Sequence, residues 1–312
     1  MEVDWMKENP PLLEDFIEDC KMRDLSSETI RMYKSNVRRF LNEVSDPENA
    51  GEKELKEFLL YLKNEREVGY KTMVNYFSAV SSFYDYLIYE GRVEKNPVLP
   101  VRKRYLRSYK KENGSNNGNK KQVPEPKEMS GFINYIPKIR DKCIVLLTLK
   151  VGARRNEIID MDVQDIDWEE YSIRLKDKPK RSNTIVYFDR ETARVLKQWI
   201  DVRNERDLNT DALFVNEHGG RLKRHGVYHA VTKWAEKYGL HNPESNNPEE
   251  KLSVHTLRHV FTTYLIRNGM KREYIKELRG DTRSEAMDIY HQIDRDELRK
   301  EYQACMPELG IV

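Results

Sequence analysis

The sequence predicts an α+β fold that is mostly helical: an N-terminal four-helix bundle, then a mixed C-terminal domain with a small sheet. Three observations carry this prediction. Apolar residues recur at helical spacing through the first hundred positions, a Gly/Asn/Ser/Lys-rich stretch interrupts the chain at 107–124, and two β-branched segments flank a basic turn, KPKRS. A length of 312 residues suits about two domains.

The helical signal is clearest in LSSETIRMYKSNVRRFLNEV, where Ile30, Tyr33, Val37, Phe40, Leu41 and Val44 share one face. Ser26 or Ser27 stands where a helix start needs a capping hydroxyl. KELKEFLLYLKNE repeats the pattern with Leu55, Phe58, Leu59 and Leu62, and YKTMVNYFSAVSSFYDYLIYEG with Met73, Tyr76, Val80, Phe83 and Leu87. The two prolines of EKNPVLP then stop helix formation. Residues 107–124 lack the apolar content to fold and read as a flexible linker, which sets domains at 1–106 and 125–312. In the second domain, 127–150 reads as helical, YSIRLKD and NTIVYFD as a hairpin, and ALFVN as a short strand. Helices are expected over ETARVLKQWIDVRNE, over HGVYHAVTKWAEKYG and onward to the C-terminus.

Composition excludes several function classes. Charged residues make up 35% and mean hydropathy is −0.84, so the surface is heavily ionised. Yet 55 basic and 53 acidic side chains leave a net charge of only +2, so bulk charge announces no partner. Cys20, Cys143 and Cys305 are scattered, with no CxxC pair or nearby histidines; neither a disulfide framework nor a zinc site is expected, and a reducing cytoplasm fits. The N-terminus lacks a signal-peptide pattern, and no apolar stretch reaches membrane-spanning length. The expectation is a cytoplasmic protein with no membrane segment, metal or cofactor.

Four clusters carry candidate chemistry. GARRNEI supplies Arg154 with Glu157 three residues on, and KDKPKR supplies Lys176, Lys178 and Lys180. SVHTLRHVFTTYL places His255 and Arg258 on one helix face, with Leu257, Phe261 and Leu265 forming the apolar face. LRGDTRSEAMDIYHQID supplies Asp281, Tyr290 and His291. Each alone has an ordinary reading: a surface turn, a solvated turn, a structural histidine–arginine pair, a core tyrosine beside Ile289. Two arginines, a loop lysine, a histidine and a late tyrosine in this order are the parts needed to break and rejoin a DNA phosphodiester without metal.

The sequence resembles the tyrosine recombinases of the phage integrase family, Xer-like and archaeal-integrase-like members included, over nearly the whole chain. SSETIRMYKSNVRRFL and TMVNYFSAVSSFYDYLIYEGRVEKNPV resemble the family's core-binding, SAM-like domain; GARRNE, HTLRH and the Gly280-to-Tyr290 spacing resemble its catalytic motifs. The resemblance implies that Tyr290 attacks the scissile phosphate to give a 3′-phosphotyrosyl enzyme, splitting one displacement into two. Arg154 and Arg258 would hold the non-bridging oxygens as bidentate forks. His255 would act as base or phosphate donor, and a hairpin lysine would protonate the leaving 5′-oxygen. The family's Lys-x-Lys-x-Ser pattern favours Lys178, with Lys176 and Lys180 as alternatives. Glu157 resembles the acid that buttresses the first arginine.

Asp281 departs from the family, where histidine or tryptophan is usual. An ionised carboxylate cannot donate to a phosphate oxygen. Asp281 is expected to cap a helix starting near Thr282, to orient Arg258 or His255, or to mark an impaired site. The Gly-Asp pair resembles a subset of archaeal integrases, which argues against decay. His291 is a weak substitute donor, since neighbouring helical residues point about 100° apart.

The implied partner is double-stranded DNA, held mostly through phosphates by Arg221, Lys223 and Arg224, the linker lysines, and Lys34 or Lys71. A homo-oligomer on DNA, dimer or tetramer, is expected. The apolar C-terminal end either docks on a neighbouring protomer or folds back on its own domain. With no arm-binding domain before residue 10, a two-domain enzyme with one core site is expected. The alternatives are a DNA-binding accessory protein of the same fold without catalysis, and a type IB topoisomerase-like relaxing enzyme.

Overall fold

The computed structural model describes residues 10–44, 46–106, 123–178, 181–245, 247, 250–281 and 293–312. The chain divides into two compact units, Met1–Lys120 and Lys121–Val312.

The first unit contains α1 (Pro10–Met22), α2 (Ser27–Glu43), α3 (Glu52–Leu60), α4 (Tyr70–Tyr89) and the short α5 (Val98–Val101). Ser26 is the residue that caps α2, its hydroxyl accepting from the Thr29 N–H at 3.3 Å. The faces marked by the apolar spacing meet in one core, where Phe40, Phe58, Phe77, Phe83 and Tyr84 are fully buried. Asn96, before the first helix-stopping proline, ties this end of the unit together. Its amide donates to the Ser81 carbonyl at 3.0 Å and to Asp85 at 2.7 Å.

The second unit is built around α7 (Ile139–Val151), which is buried from Cys143 to Val151. That is the behaviour of a helix apolar on all sides. It lies against α9 (Arg190–Asn204), α11 (Val254–Arg267) and α10 (Arg224–Tyr238). The 127–150 segment is two helices, α6 (Pro126–Tyr135) and α7, because Pro137 lies between them. Packing of this unit begins inside the stretch assigned to the linker: Val123 is buried, and the Pro124 carbonyl accepts from the Tyr264 hydroxyl at 2.7 Å.

The expected hairpin is present. β2 (Ser172–Arg174) and β3 (Ile185–Tyr187) pair antiparallel with Ile173 opposite Val186, and β1 (Ile166–Asp167) adds a third strand at the β2 edge. Alternation in β3 sends Val186 into the main core and Tyr187 into a second cluster with Phe261, Tyr274 and Tyr302. That cluster joins the sheet to α11, α12 (Arg272–Arg279) and α13 (Arg295–Cys305). ALFVN is not a strand: it contributes isolated bridges, Ala212 to Asp162 and Val215 to Arg221. Its apolar run reflects burial, which a short segment reaches without a ladder.

The C-terminal end folds back on its own unit. Ile311 is fully buried, and the Leu309 N–H donates to Glu191 at 2.9 Å. Beneath it, Lys150 is wholly buried and reaches Asp189 at 2.5 Å, Glu191, and the Pro307 carbonyl at 2.7 Å. No described helix is long and apolar enough to cross a membrane.

Candidate active site

The site forms where α7 ends against α11. Gly152 terminates α7 in the left-handed region, φ 61°, and a Cβ there would lie 2.4 Å from the Phe261 ring. Only glycine permits both the turn and the approach. Its carbonyl accepts from Nη1 of Arg258, one turn before Phe261 on α11. Arg258 Nη2 donates to the Arg279 carbonyl at 2.8 Å, so this guanidinium is fixed by two backbone acceptors from distant elements. Burial, with Arg154 nearby, pulls Arg258 down to about 10, so it stays charged at neutral pH.

Arg154 precedes α8 (Arg155–Asp160), and Glu157 sits at its third position. Glu157 reaches back to the Arg154 N–H at 2.6 Å and takes Arg154 Nη1 at 3.1 Å. The R-x-x-E spacing read from the sequence thus does two jobs. It satisfies an orphan donor of the helix start and aims the guanidinium. Arg154 Nη2 also donates to the Gly280 carbonyl at 3.3 Å.

His255 lies in the first turn of α11, whose start Ser253 caps by accepting from the Thr256 N–H. Lys178, from the β2–β3 connection, is ion-paired with Asp160 at the end of α8. Arg154, Lys178, His255 and Arg258 line one open cavity of about 540 Å³, together with Arg224 and Tyr228. Lys176 lies elsewhere, held by Asp162 and Asp165 at 2.9 Å each, and those hydrogen bonds raise its pKa. Lys180, Tyr290 and His291 lie outside the described residues.

Asp281 is drawn to the arginines. Its carboxylate lies 3.4 Å from Arg258 Nη2, 3.7 Å from Arg154 Nη2 and 3.1 Å from Arg279 Nε. Among the three readings of this residue, these contacts match an acid that orients Arg258. The helix start near Thr282 lies outside the described residues.

Of the expected phosphate contacts, Arg224 lines the cavity and Lys223 is exposed just before α10. Arg221 is partly buried. It donates to the carbonyls of Ile159 at 2.8 Å and Met161 at 3.2 Å and pairs with Asp162. The carbonyls at the end of α8 lack helical partners, and a nearby guanidinium is a natural donor for them.

Sequence reasoning missed Arg181. Its side chain is buried under the cavity, with Nη1 2.8 Å from Glu157 and Nη2 3.0 Å from the Leu278 carbonyl. No periodic pattern marks it, because tertiary acceptors alone bury it. Asp160, partly exposed beside Lys178, and Arg279, partly exposed beside Asp281, were missed as well. No group of three or more His, Cys, Asp or Glu suited to a metal ion occurs among the described residues.

The family model described as "Phage integrase family" matches residues 123–297, and "Phage integrase, N-terminal SAM-like domain" matches 12–91. A curated tyrosine recombinase XerC from Herpetosiphon aurantiacus is 28% identical over 296 residues, covering 91% of this chain and 90% of the relative. Two solved structures share the fold. The Tn1549 transposon integrase in complex with circular intermediate DNA gives a TM-score of 0.66 at 17% identity, covering 93% of this chain and 98% of its own. XerH recombinase bound to difH substrate gives 0.61 at 21% identity, covering 92% and 82%.

Proposed function

The chain belongs to the phage integrase family, and from that premise we propose that it is a site-specific DNA recombinase. It cleaves and rejoins duplex DNA through a 3′-phosphotyrosyl intermediate. One observation carries the reading: Lys178 of the hairpin shares a single cavity with Arg154, His255 and Arg258.

In the proposed reaction the Tyr290 oxygen bonds to the scissile phosphorus while the bond to the 5′-oxygen breaks. His255 takes the phenolic proton, and Lys178 gives a proton to the departing 5′-oxygen. Arg154 and Arg258 stabilise the charge that builds on the non-bridging oxygens, worth about 10²–10³ in rate for each well-aimed donor. The phosphotyrosyl bond keeps the phosphodiester energy, so attack by another 5′-hydroxyl restores the backbone without ATP. Lys223, Arg224 and the lysines of 107–124 contribute phosphate contacts, and cytoplasmic copies assemble as a dimer or tetramer on the DNA.

Asp281, a negative charge beside Arg258, is the observation that favours the second reading: a DNA-binding accessory protein without catalysis. One experiment separates the two. Incubated with a nicked suicide duplex carrying its site, the wild type is expected to form a covalent protein–DNA adduct that Tyr290→Phe does not. Specific binding with no wild-type adduct would leave only the accessory reading.

A further inference from the structure

Arg181 is buried as few charges are, with 1% of its side chain accessible, and it takes no part in lining the cavity. Its guanidinium is nevertheless engaged on every side. Nη1 donates to Glu157 Oε1 at 2.8 Å and to the Arg279 carbonyl at 3.3 Å. Nη2 donates to the Leu278 carbonyl at 3.0 Å, and Nε to the Asn183 carbonyl.

Two of these acceptors are shared with the cavity. Glu157 Oε1 also takes Arg154 Nη1, and the Arg279 carbonyl also takes Arg258 Nη2. Arg181 therefore grips the group that orients each cavity arginine. The next two residues extend the seam: the Ser182 hydroxyl donates to the Asp281 carbonyl at 2.8 Å, and the Asn183 amide to the Glu277 carbonyl at 3.2 Å. At the other end, the Arg181 N–H donates to the Lys178 carbonyl at 2.9 Å. The clamp thus lies one backbone hydrogen bond from the lysine.

The opposing backbone is shaped to this side chain. Gly280 has φ +60°, and a Cβ there would lie 2.5 Å from Arg181 Cγ. A buried guanidinium is unfavourable unless its donors are all met, and an apolar residue of similar volume is often no less stable. What an apolar residue cannot do is hold several acceptors in fixed directions, which the rigid fork does.

We infer that Arg181 is a positioning residue that registers Lys178 to the arginine pair, by anchoring the hairpin arm on the same Glu157 carboxylate and Arg279 carbonyl that orient Arg154 and Arg258. The inference rests on the recombinase reading above. Arg154 keeps its two bonds to Glu157 without Arg181, and Arg258 keeps Gly152 and Arg279, so loss of the clamp falls on the lysine.

The test is single-turnover cleavage by the full-length protein of two suicide duplexes that differ in the atom bridging the scissile phosphate to the 5′-carbon: oxygen or sulfur. A thiolate leaves without a proton, so sulfur repairs failed acid delivery but neither a lost phosphate grip nor a collapsed fold. Arg181→Lys keeps a charge opposite Glu157 and loses the fork. It is expected to cleave the oxygen substrate about 10²-fold more slowly than wild type, and the sulfur substrate within a few-fold of it. Combined with Lys178→Ala, it should slow oxygen cleavage no further than Lys178→Ala alone. Equal slowing on both substrates, or an unchanged rate on oxygen, overturns the inference. Arg181→Gln, which refills most of the space, gives the same readout if the lysine variant does not fold. A wild type that forms no adduct with either substrate overturns the recombinase reading itself, whereas wild-type cleavage with parallel losses in Arg181→Lys overturns only the clamp.

Discussion

A carboxylate oxygen of Asp281 lies 3.4 Å from Nη2 of Arg258. The same carboxylate reaches Arg154 at 3.7 Å and Arg279 at 3.1 Å, so one acid stands among three guanidinium groups. The acid at this position thus faces guanidinium groups of the cavity itself.

Asp281→Asn is therefore expected to slow cleavage about tenfold, the scale for removing a carboxylate that orients a working side chain. DNA binding should hold or tighten, because a negative charge is removed beside the phosphate position. Single-turnover cleavage and filter binding on the same duplex separate the two effects. Faster cleavage by Asp281→Asn would instead make the carboxylate a competitor of the scissile phosphate.

The two described hairpin lysines should part company. Lys178 lines the cavity, while Lys176 is held by Asp162 and Asp165 away from it. Lys178→Ala should lose about 10²–10⁴ in cleavage rate, the usual worth of a positioned acid. Lys176→Ala should stay within a few-fold of wild type and lower the melting temperature slightly, since partly exposed ion pairs contribute about 0–1 kcal/mol. The reverse ranking would move the acid role to Lys176.

Much of this site is legible in the amino-acid sequence, and the parts that are not share a physical cause. Glu157 can be read from spacing, because a carboxylate three residues after a helix start is a local device. His255 and Arg258 can be paired from helical geometry alone, since i and i+3 share a face. Arg181 cannot, because its Leu278 acceptor lies 97 residues along the chain and nothing local distinguishes it from a solvated turn residue. The contacts of Arg221 are equally invisible to local spacing, since the carbonyls it reaches lie 62 and 60 residues away in the chain. The helices of the first unit follow from apolar spacing, whereas ALFVN shows that an apolar run reports burial and not a ladder.

Lys150 offers a stability test remote from the cavity. It is fully buried between Asp189, Glu191 and the Pro307 carbonyl, and Glu191 also receives the N–H groups of Leu309 and Ile311. Lys150→Met preserves the bulk and strands two carboxylates in a largely dry setting. Removing one partner of such a pair costs about 3–5 kcal/mol, which lowers Tm by on the order of 10 °C in a unit of this size. Thermal melting checks the size of the loss, and limited proteolysis should show residues 307–312 released first. A shift of only a degree or two would mean that the acids neutralise when the lysine is gone.

The buried tyrosines predict an alkaline limit to stability. Burial raises the phenols of Tyr84, Tyr264 and Tyr302. Each hydroxyl donates to a carbonyl: Pro47 at 2.9 Å, Pro124 at 2.7 Å and Lys150 at 3.0 Å. In the unfolded chain these groups ionise near pH 10, about their ordinary value. Below that pH both states hold the proton and stability is complete. Above it the unfolded state loses protons that the folded state keeps, so stability falls as pH rises. Melting temperature should therefore be flat up to about pH 9 and decline above about pH 10. Tyrosinate absorbance should show a cooperative step coincident with the loss of helical circular dichroism, and Tyr264→Phe should reduce the alkaline slope. Complete tyrosine titration with the helical signal intact would mean that these phenols are open to water.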